Sequence, residues 1–335
     1  MTKRKPPGLK AAMKAIRTLD PDLARRLNEL GIDEVTAKHI HSALVNDRPA
    51  VLSIDFQLGY CLRNALKYGG IDRGALKTIA PALSAAAKWG GANMLNSINY
   101  SLLKKRLPQE ALEPLAAYAV DAAAKDIDPD FVVRPLIEGL GSKLISQKSL
   151  PAYAKSVTCL FHDLKKDGVF AYDLDYYIRT GMRDRTLSRR TLEMVKPLII
   201  GTLKSGHSAT LLMRALNARG ASGMRAQHLH AVMPHLETEV RAGRDPGRLF
   251  GAVTYAFKSG LGPRALPLFM EHLGKHAGHP DLHVLAGQAA LAHKKGVPWN
   301  KVFKYQDEFL RKGHLPMAQA MADYHKIVTK RKKRG

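Results

Sequence analysis

The sequence predicts an all-α fold, a right-handed α-solenoid of about eight helix–turn–helix repeats of roughly 37–38 residues. Three observations carry that expectation. First, a phrase recurs: Gly31-Ile32-Asp33 running to Ala43-Leu44 matches Gly70-Ile71-Asp72 running to Ala82-Leu83, with Lys38/Lys77, Ile40/Ile79, Ala43/Ala82 and Leu44/Leu83 coinciding. Second, two apolar landmarks keep time. Leu76, Leu112, Leu150, Leu192, Leu229, Leu266 and Phe303 follow one another at 36 to 42 residues, and Leu66, Leu102, Leu140, Ile178, Leu216, Phe257 and Leu291 at 34 to 41. Third, turn-forming residues fall between the landmarks: Gly69-Gly70, Gly90-Gly91, Asp128-Pro129, Gly168, Gly206, Gly220, Asp245-Pro246-Gly247, Gly262-Pro263 and Gly278 to Pro280.

Each unit therefore reads as first helix, turn, second helix, turn. The segment after Ser188 shows the helical period: Leu192, Val195, Leu198 and Ile199 share a face, with Thr191, Glu193 and Lys196 elsewhere. No convincing run of alternating β-branched residues occurs. A single helix pair of this size cannot bury its apolar stripe alone, so like pairs are expected to stack into one continuous array. In chain order the organisation is a basic N-terminal arm or targeting segment over 1–19, a repeat array over 20–325 and a basic tail over 326–335.

The chain carries 53 Lys and Arg against 29 Asp and Glu, a formal charge of +24. Packing does not require such a surplus, and a polyanionic partner would offset it. The two ends, acid-free over residues 1 to 19 and Lys326 to Arg334, hold about half of the surplus. The rest lies on the repeats and shares their period. Toward the ends of first helices stand Lys88, Lys125, Lys165, Lys204, Arg241, Lys275 and Lys312; toward the ends of second helices stand Lys67, Lys104, Lys143, Arg179, Arg219, Lys258 and Lys294. Stacked repeats would align each series into a track for a phosphodiester backbone, extended by Lys330, Arg331, Lys332, Lys333 and Arg334 in the tail. The alternative role of a cation near a helix C-terminus is to complement the macrodipole and cap carbonyls. On the first reading, reversing Lys125, Lys165 and Lys204 together weakens RNA binding and flattens its salt dependence.

RNA is the expected polyanion, because no helix-turn-helix or zinc-finger spacing is visible and an elongated groove suits a flexible single strand. Tyr100, Tyr172, Tyr176, Tyr177 and Tyr255, all in second helices, are candidates for stacking on bases. Core packing is the expected job for most of them, as for Tyr118 and Tyr153 in first helices.

The strings Leu249 to Phe257 followed by Gly260, and Leu58 to Leu66 followed by Gly69-Gly70, resemble the second-helix phrase of heptatricopeptide repeats, relatives of octotricopeptide and pentatricopeptide repeats. The likeness spans roughly residues 31 to 330, without a C-terminal RAP domain. It implies organellar RNA binding, including scaffold roles in mitochondrial ribosomes, with rRNA or another organellar RNA and ribosomal proteins as partners.

Signals for chemistry are sparse. Cys61 and Cys159 lie in separate apolar helical stretches and read as buried free thiols. His272, His276, His279 and His283 bracket a turn, and the first two fall one helical turn apart; only Asp281 lies close enough in sequence to complete a metal set, so no metal and no cofactor are expected. His39 with His41, and His228 with His230, suggest a shared surface role or simple exposure. The Gly201 to Gly206 stretch lacks the Lys-Ser or Lys-Thr of a phosphate loop, and Gly139-Leu140-Gly141 reads as a helix terminator. Asp173 with Asp175, and Asp307 with Glu308, are expected on solvated faces. The expectation is a binding protein rather than an enzyme.

No stretch approaches a membrane span. The basic segment from Met1 to Leu19 shares features with mitochondrial presequences and equally with a nucleic-acid-binding arm, while Lys330 to Arg334 also fits a nuclear signal. The sequence therefore points to an RNA-binding helical-repeat protein, organellar and mitochondrial in setting. A protein-binding α-solenoid scaffold, adaptor or effector gripping an acidic partner is the alternative.

Overall fold

A computed structural model describes residues 8–47, 57–169 and 172–332, apart from the side chains of residues 172, 226 and 330–332. Eighteen α-helices run through the described residues, and no strand occurs among them. In order they are α1 (Leu9–Leu19), α2 (Pro21–Glu29), α3 (Glu34–Asn46), α4 (Leu58–Lys67), α5 (Arg73–Ala86), α6 (Ala92–Leu103), α7 (Leu112–Ala124), α8 (Pro129–Gly141) and α9 (Leu150–Lys166). The series continues with α10 (Tyr172–Arg183), α11 (Arg189–Lys204), α12 (Thr210–Ala218), α13 (Ala226–Arg241), α14 (Pro246–Lys258), α15 (Leu266–Lys275), α16 (Leu282–Lys294), α17 (Trp299–Arg311) and α18 (Ala318–Lys332). The chain divides into two compact units, Met1–Gly168 and Val169–Gly335.

The recurring phrase has a physical meaning at each copy. Asp33 and Asp72 are the N-caps of α3 and α5: their carboxylates accept from the amides of Thr36 at 2.8 Å and Ala75 at 2.7 Å. A cap of this kind stabilises a helix by about 1 kcal/mol. The preceding Ile32 and Ile71 are both buried, which fixes the angle at which the chain enters the helix. The first-helix landmarks Leu76, Leu112, Leu150, Leu192, Leu229, Leu266 and Phe303 are all buried and all fall in odd-numbered helices. Of the second-helix landmarks, Leu140, Ile178, Leu216 and Phe257 are buried, while Leu66, Leu102 and Leu291 are partly exposed.

Helices pack on their next-but-one neighbours. In the first unit the odd helices α1, α3, α5 and α7 form one layer, and the even helices α2, α4, α6 and α8 the other. The odd layer is the closer one, because alanines line its contacts: Ala75, Ala80, Ala82 and Ala86 in α5, and Ala116, Ala119 and Ala122 in α7. Small side chains let helix backbones approach and put more atoms within dispersion range. In the second unit the even layer α10, α12, α14, α16 and α18 is the closer one, with Gly247, Ala252 and Ala256 in α14 and Ala286, Gly287, Ala289 and Ala290 in α16. Pro81, Pro197 and Pro234 lie inside α5, α11 and α13, each five residues after its landmark leucine. Each removes one backbone hydrogen bond at the same point of the repeat.

The ends differ from the sequence reading. Residues 9–19, expected in a basic arm, form α1, which buries Ala12 and Ile16 and packs against α2 and α3. The expected tail begins inside α18, which continues to Lys332. No helix among the described residues is long and apolar enough to cross a membrane.

Candidate nucleic-acid interface

The two cation series differ in what surrounds them. In the first-helix series, Lys125, Arg241, Lys275 and Lys312 each pair with an acid four residues earlier: Asp121 at 2.6 Å, Glu237 at 3.5 Å, Glu271 at 3.3 Å and Glu308 at 3.1 Å. Acid before base at this spacing brings the two charges together on one helix face. Lys88 and Lys165 converge on a single carboxylate, Asp126, which follows α7 in a left-handed conformation with φ 56°. The hydrogen bonds from Lys165 and Lys88 hold the Asp126 carboxyl at about 2, well below the usual range. Six of the seven first-helix cations thus stand beside a carboxylate. Lys204 ends α11 and also has an interaction partner.

In the second-helix series, Lys67, Lys104, Lys143, Lys258 and Lys294 are exposed, and among the described residues none of them forms an ion pair with a carboxylate. Lys67 and Lys104 lie 5.3 and 5.9 Å from the ring centroids of Tyr68 and Tyr100. Two members of the series are not surface cations. Arg219 is buried and donates to the Thr186 carbonyl at 2.8 Å and to Thr191 Oγ1 at 3.3 Å, tying the loop before α11 to the end of α12. Burial lowers its pKa. Arg179 is half-buried and donates from Nε to Asp175 at 2.8 Å. Lys330, Arg331 and Lys332 fall in α18, and Lys333 and Arg334 lie outside the described residues.

Lys105 and Lys143 carry a cation in the left-handed region, with φ 52° and 62°, at turns where Gly69 and Gly296 serve after other second helices. Such a backbone costs a residue with a Cβ of order 1 kcal/mol. At Lys105 the turn has two closing bonds, Lys105 N–H to the Leu102 carbonyl and Arg106 N–H to the Ser101 carbonyl, which satisfy the last carbonyls of α6.

The tyrosines are less buried than their helical spacing suggests. Tyr100, Tyr176 and Tyr255 are 53%, 55% and 46% exposed, whereas Tyr153 is buried. Tyr100 borders a cleft of about 230 Å³ between α6 and α8, lined also by Asn93, Asn96, Ser97, Arg134 and Glu138. The cleft offers amide donors and acceptors beside an aromatic face. A larger cleft of about 540 Å³ in the second unit lies between α10, the end of α11 and the start of α12, with Asp173, Tyr177, His207 and Thr210 among its walls.

The remaining sequence candidates resolve as follows. Cys61 is buried as expected, while Cys159 is only partly so. His228 is buried rather than exposed: its Nδ1 accepts from the Arg225 amide at 3.1 Å, and burial lowers its pKa. Asp175 is buried against Arg179, and Glu308 accepts from Lys312 and from the Tyr324 hydroxyl, so neither stands alone on a solvated face. Gly139 lies within α8, where a Cβ would meet Ile145 Cδ1 at 2.4 Å; it is a close-packing position.

Of the four clustered histidines only two converge. His272 in α15 and His276, which caps its C-terminal end, have ring centroids 4.9 Å apart, and the carboxylate beside them is Asp307 of α17, not Asp281. His276 Nε2 lies 2.9 Å from Asp307 Oδ1. His272 is buried against Phe303, with ring centroids 4.4 Å apart, and burial pushes its pKa down to about 4. His279 instead accepts from the Asp281 amide, and His283 lies edge-on to Tyr255. No family model, curated protein or solved structure compared with this chain matches it.

Proposed function

We propose that this chain is an RNA-binding helical-repeat protein that holds the RNA backbone mainly through the cations ending its second helices. The observation that carries the reading is the contrast between the two series. Lys67, Lys104 and Lys143 in the first unit, and Lys258 and Lys294 in the second, are exposed without a carboxylate partner among the described residues, while most of the first-helix cations are paired. An unpaired surface cation gains fully from a phosphate and releases a counterion, whereas a paired one must first give up its acid.

The exposed Tyr100 and Tyr255 lie in the same helix set and supply faces on which bases can stack, each stack contributing about 1–3 kcal/mol. The left-handed lysines at 105 and 143 keep charge at that edge where glycine would be the less strained choice. The α-solenoid arrangement, the heptatricopeptide-like repeat and the organellar, mitochondrial setting belong to the same proposal, with binding rather than catalysis as the activity.

Fluorescence anisotropy of the full chain with single-stranded RNA, at several salt concentrations, tests the reading. RNA binding with a steep salt slope, resistant to an equal charge concentration of polyglutamate, supports it. Displacement by polyglutamate at parity with RNA rejects it in favour of a scaffold for acidic proteins.

A further inference from the structure

We propose that His272, His276 and Asp307 form a binding site for one divalent transition-metal ion of the zinc class, linking α15 to α17. One donor atom from each of the three residues lies within 4.8 Å of the other two. Tetrahedral zinc with bonds of about 2.0–2.1 Å needs donors roughly 3.3 Å apart. The residual gap is closable, because His276 and Asp307 are partly exposed and already meet at 2.9 Å. Two imidazoles and one carboxylate suit zinc, copper or nickel; magnesium and calcium prefer oxygen ligands throughout. Three protein ligands leave a fourth position for water.

The buried member of the set has one ring nitrogen committed to a neighbouring side chain and the other left for a metal. Gln306 Nε2 donates to the Leu285 carbonyl at 2.8 Å, which turns its Oε1 toward His272 Nε2 at 3.0 Å. The amide oxygen accepts only, so the imidazole hydrogen sits on Nε2 and the lone pair on Nδ1. Metal-bound histidines are oriented through their second nitrogen in this manner. Gln306 is itself buried, and this relay is the hydrogen bonding it makes there.

The position also gives the ion a mechanical role. Helices α15 and α17 are not among the closely packed pairs of the second unit, and aromatic side chains span the space between them: Phe269 against Trp299 at 5.7 Å and against Phe303 at 6.4 Å. An ion bonded to both helices would tie this wider contact. The site is independent of RNA binding and stands or falls separately.

The full chain, stripped with chelator and desalted, is titrated with Zn²⁺ against a chromogenic competitor and, in parallel, with Co²⁺. The expected result is one tight equivalent, a Co²⁺ visible spectrum of tetrahedral intensity, and a Zn²⁺-dependent rise in melting temperature. His276→Ala and Asp307→Ala, both at the surface, should each weaken that equivalent by more than tenfold. Gln306→Leu should weaken it by about 10–100-fold without removing a ligand. His39→Ala/His41→Ala serves as the control for adventitious histidine binding and should change nothing. Absence of a tight equivalent, or one that His276→Ala and Asp307→Ala leave intact while circular dichroism stays native, overturns the proposal.

Discussion

Tyr255 of α14 lies across the bare Cα of Gly287 in α16: a Cβ at position 287 would stand 2.1 Å from Tyr255 Cε1 and 2.6 Å from its Cδ1. The pair explains how these two second helices approach so closely. Replacing glycine by alanine inside a helix is worth about 1 kcal/mol by propensity, while forcing an added methyl into a filled contact costs about 1–3 kcal/mol. Gly287→Ala is therefore expected to destabilise the chain by up to about 2 kcal/mol. In a Tyr255→Ala background the same change should stabilise it by about 1 kcal/mol, because the obstructing ring is gone. Denaturant midpoints of the four proteins check this, and equal effects in both backgrounds would refute the contact.

The two cation series can be separated by charge reversal. Lys67→Glu/Lys104→Glu/Lys143→Glu is expected to weaken RNA binding strongly and to reduce the salt slope by about two units, at roughly 0.7 for each phosphate of a single strand that is no longer neutralised. Reversal of Lys125, Lys275 and Lys312, which pair with acids on their own helices, should alter the slope less. The reverse ranking in a salt titration would return the interface to the first helices.

Asp126 gives a pH signature. Lys165 and Lys88 hold its folded carboxyl at about 2, below the ordinary value of 3.8. A depressed acid contributes stability that is fully present above its unfolded pKa and fades as pH falls through the folded one. Asp126→Asn should therefore be less stable than the parent at pH 6, with the difference closing between about pH 4 and pH 2. Thermal midpoints across that window are the measurement. A gap that persists at pH 2 would show that the carboxylate charge is not its cause.

Arg219 belongs to the scaffold. Arg219→Ala leaves the Thr186 carbonyl without its guanidinium donor and should cost about 1–3 kcal/mol of stability. RNA affinity, measured at a temperature where the variant stays folded, should be unchanged. A loss of affinity comparable to that of the second-helix triple variant would place Arg219 at the interface after all.

Much of the repeat framework was legible in the residue pattern, because burial selects for apolar side chains at fixed helical intervals. Leu76, Leu192 and Leu229 are buried where the period puts them, and Asp33 and Asp72 cap helices where the phrase repeats. Part of the charge pattern was legible too: Asp121, Glu237, Glu271 and Glu308 stand four residues before their cations, a spacing that signals pairing on one helix face. Counting cations alone passed over those acids.

Period and propensity are local, so the sequence by itself determined that the chain is helical and where many of its apolar side chains turn inward. The tertiary structure decided what charges and donors meet across helices. It brought Lys88 and Lys165 to Asp126, buried Arg219 against Thr186, and set Asp307 beside two histidines more than thirty residues away in the chain. Those encounters depend on how closely neighbouring helices pack, which is fixed by the summed fit of many small side chains.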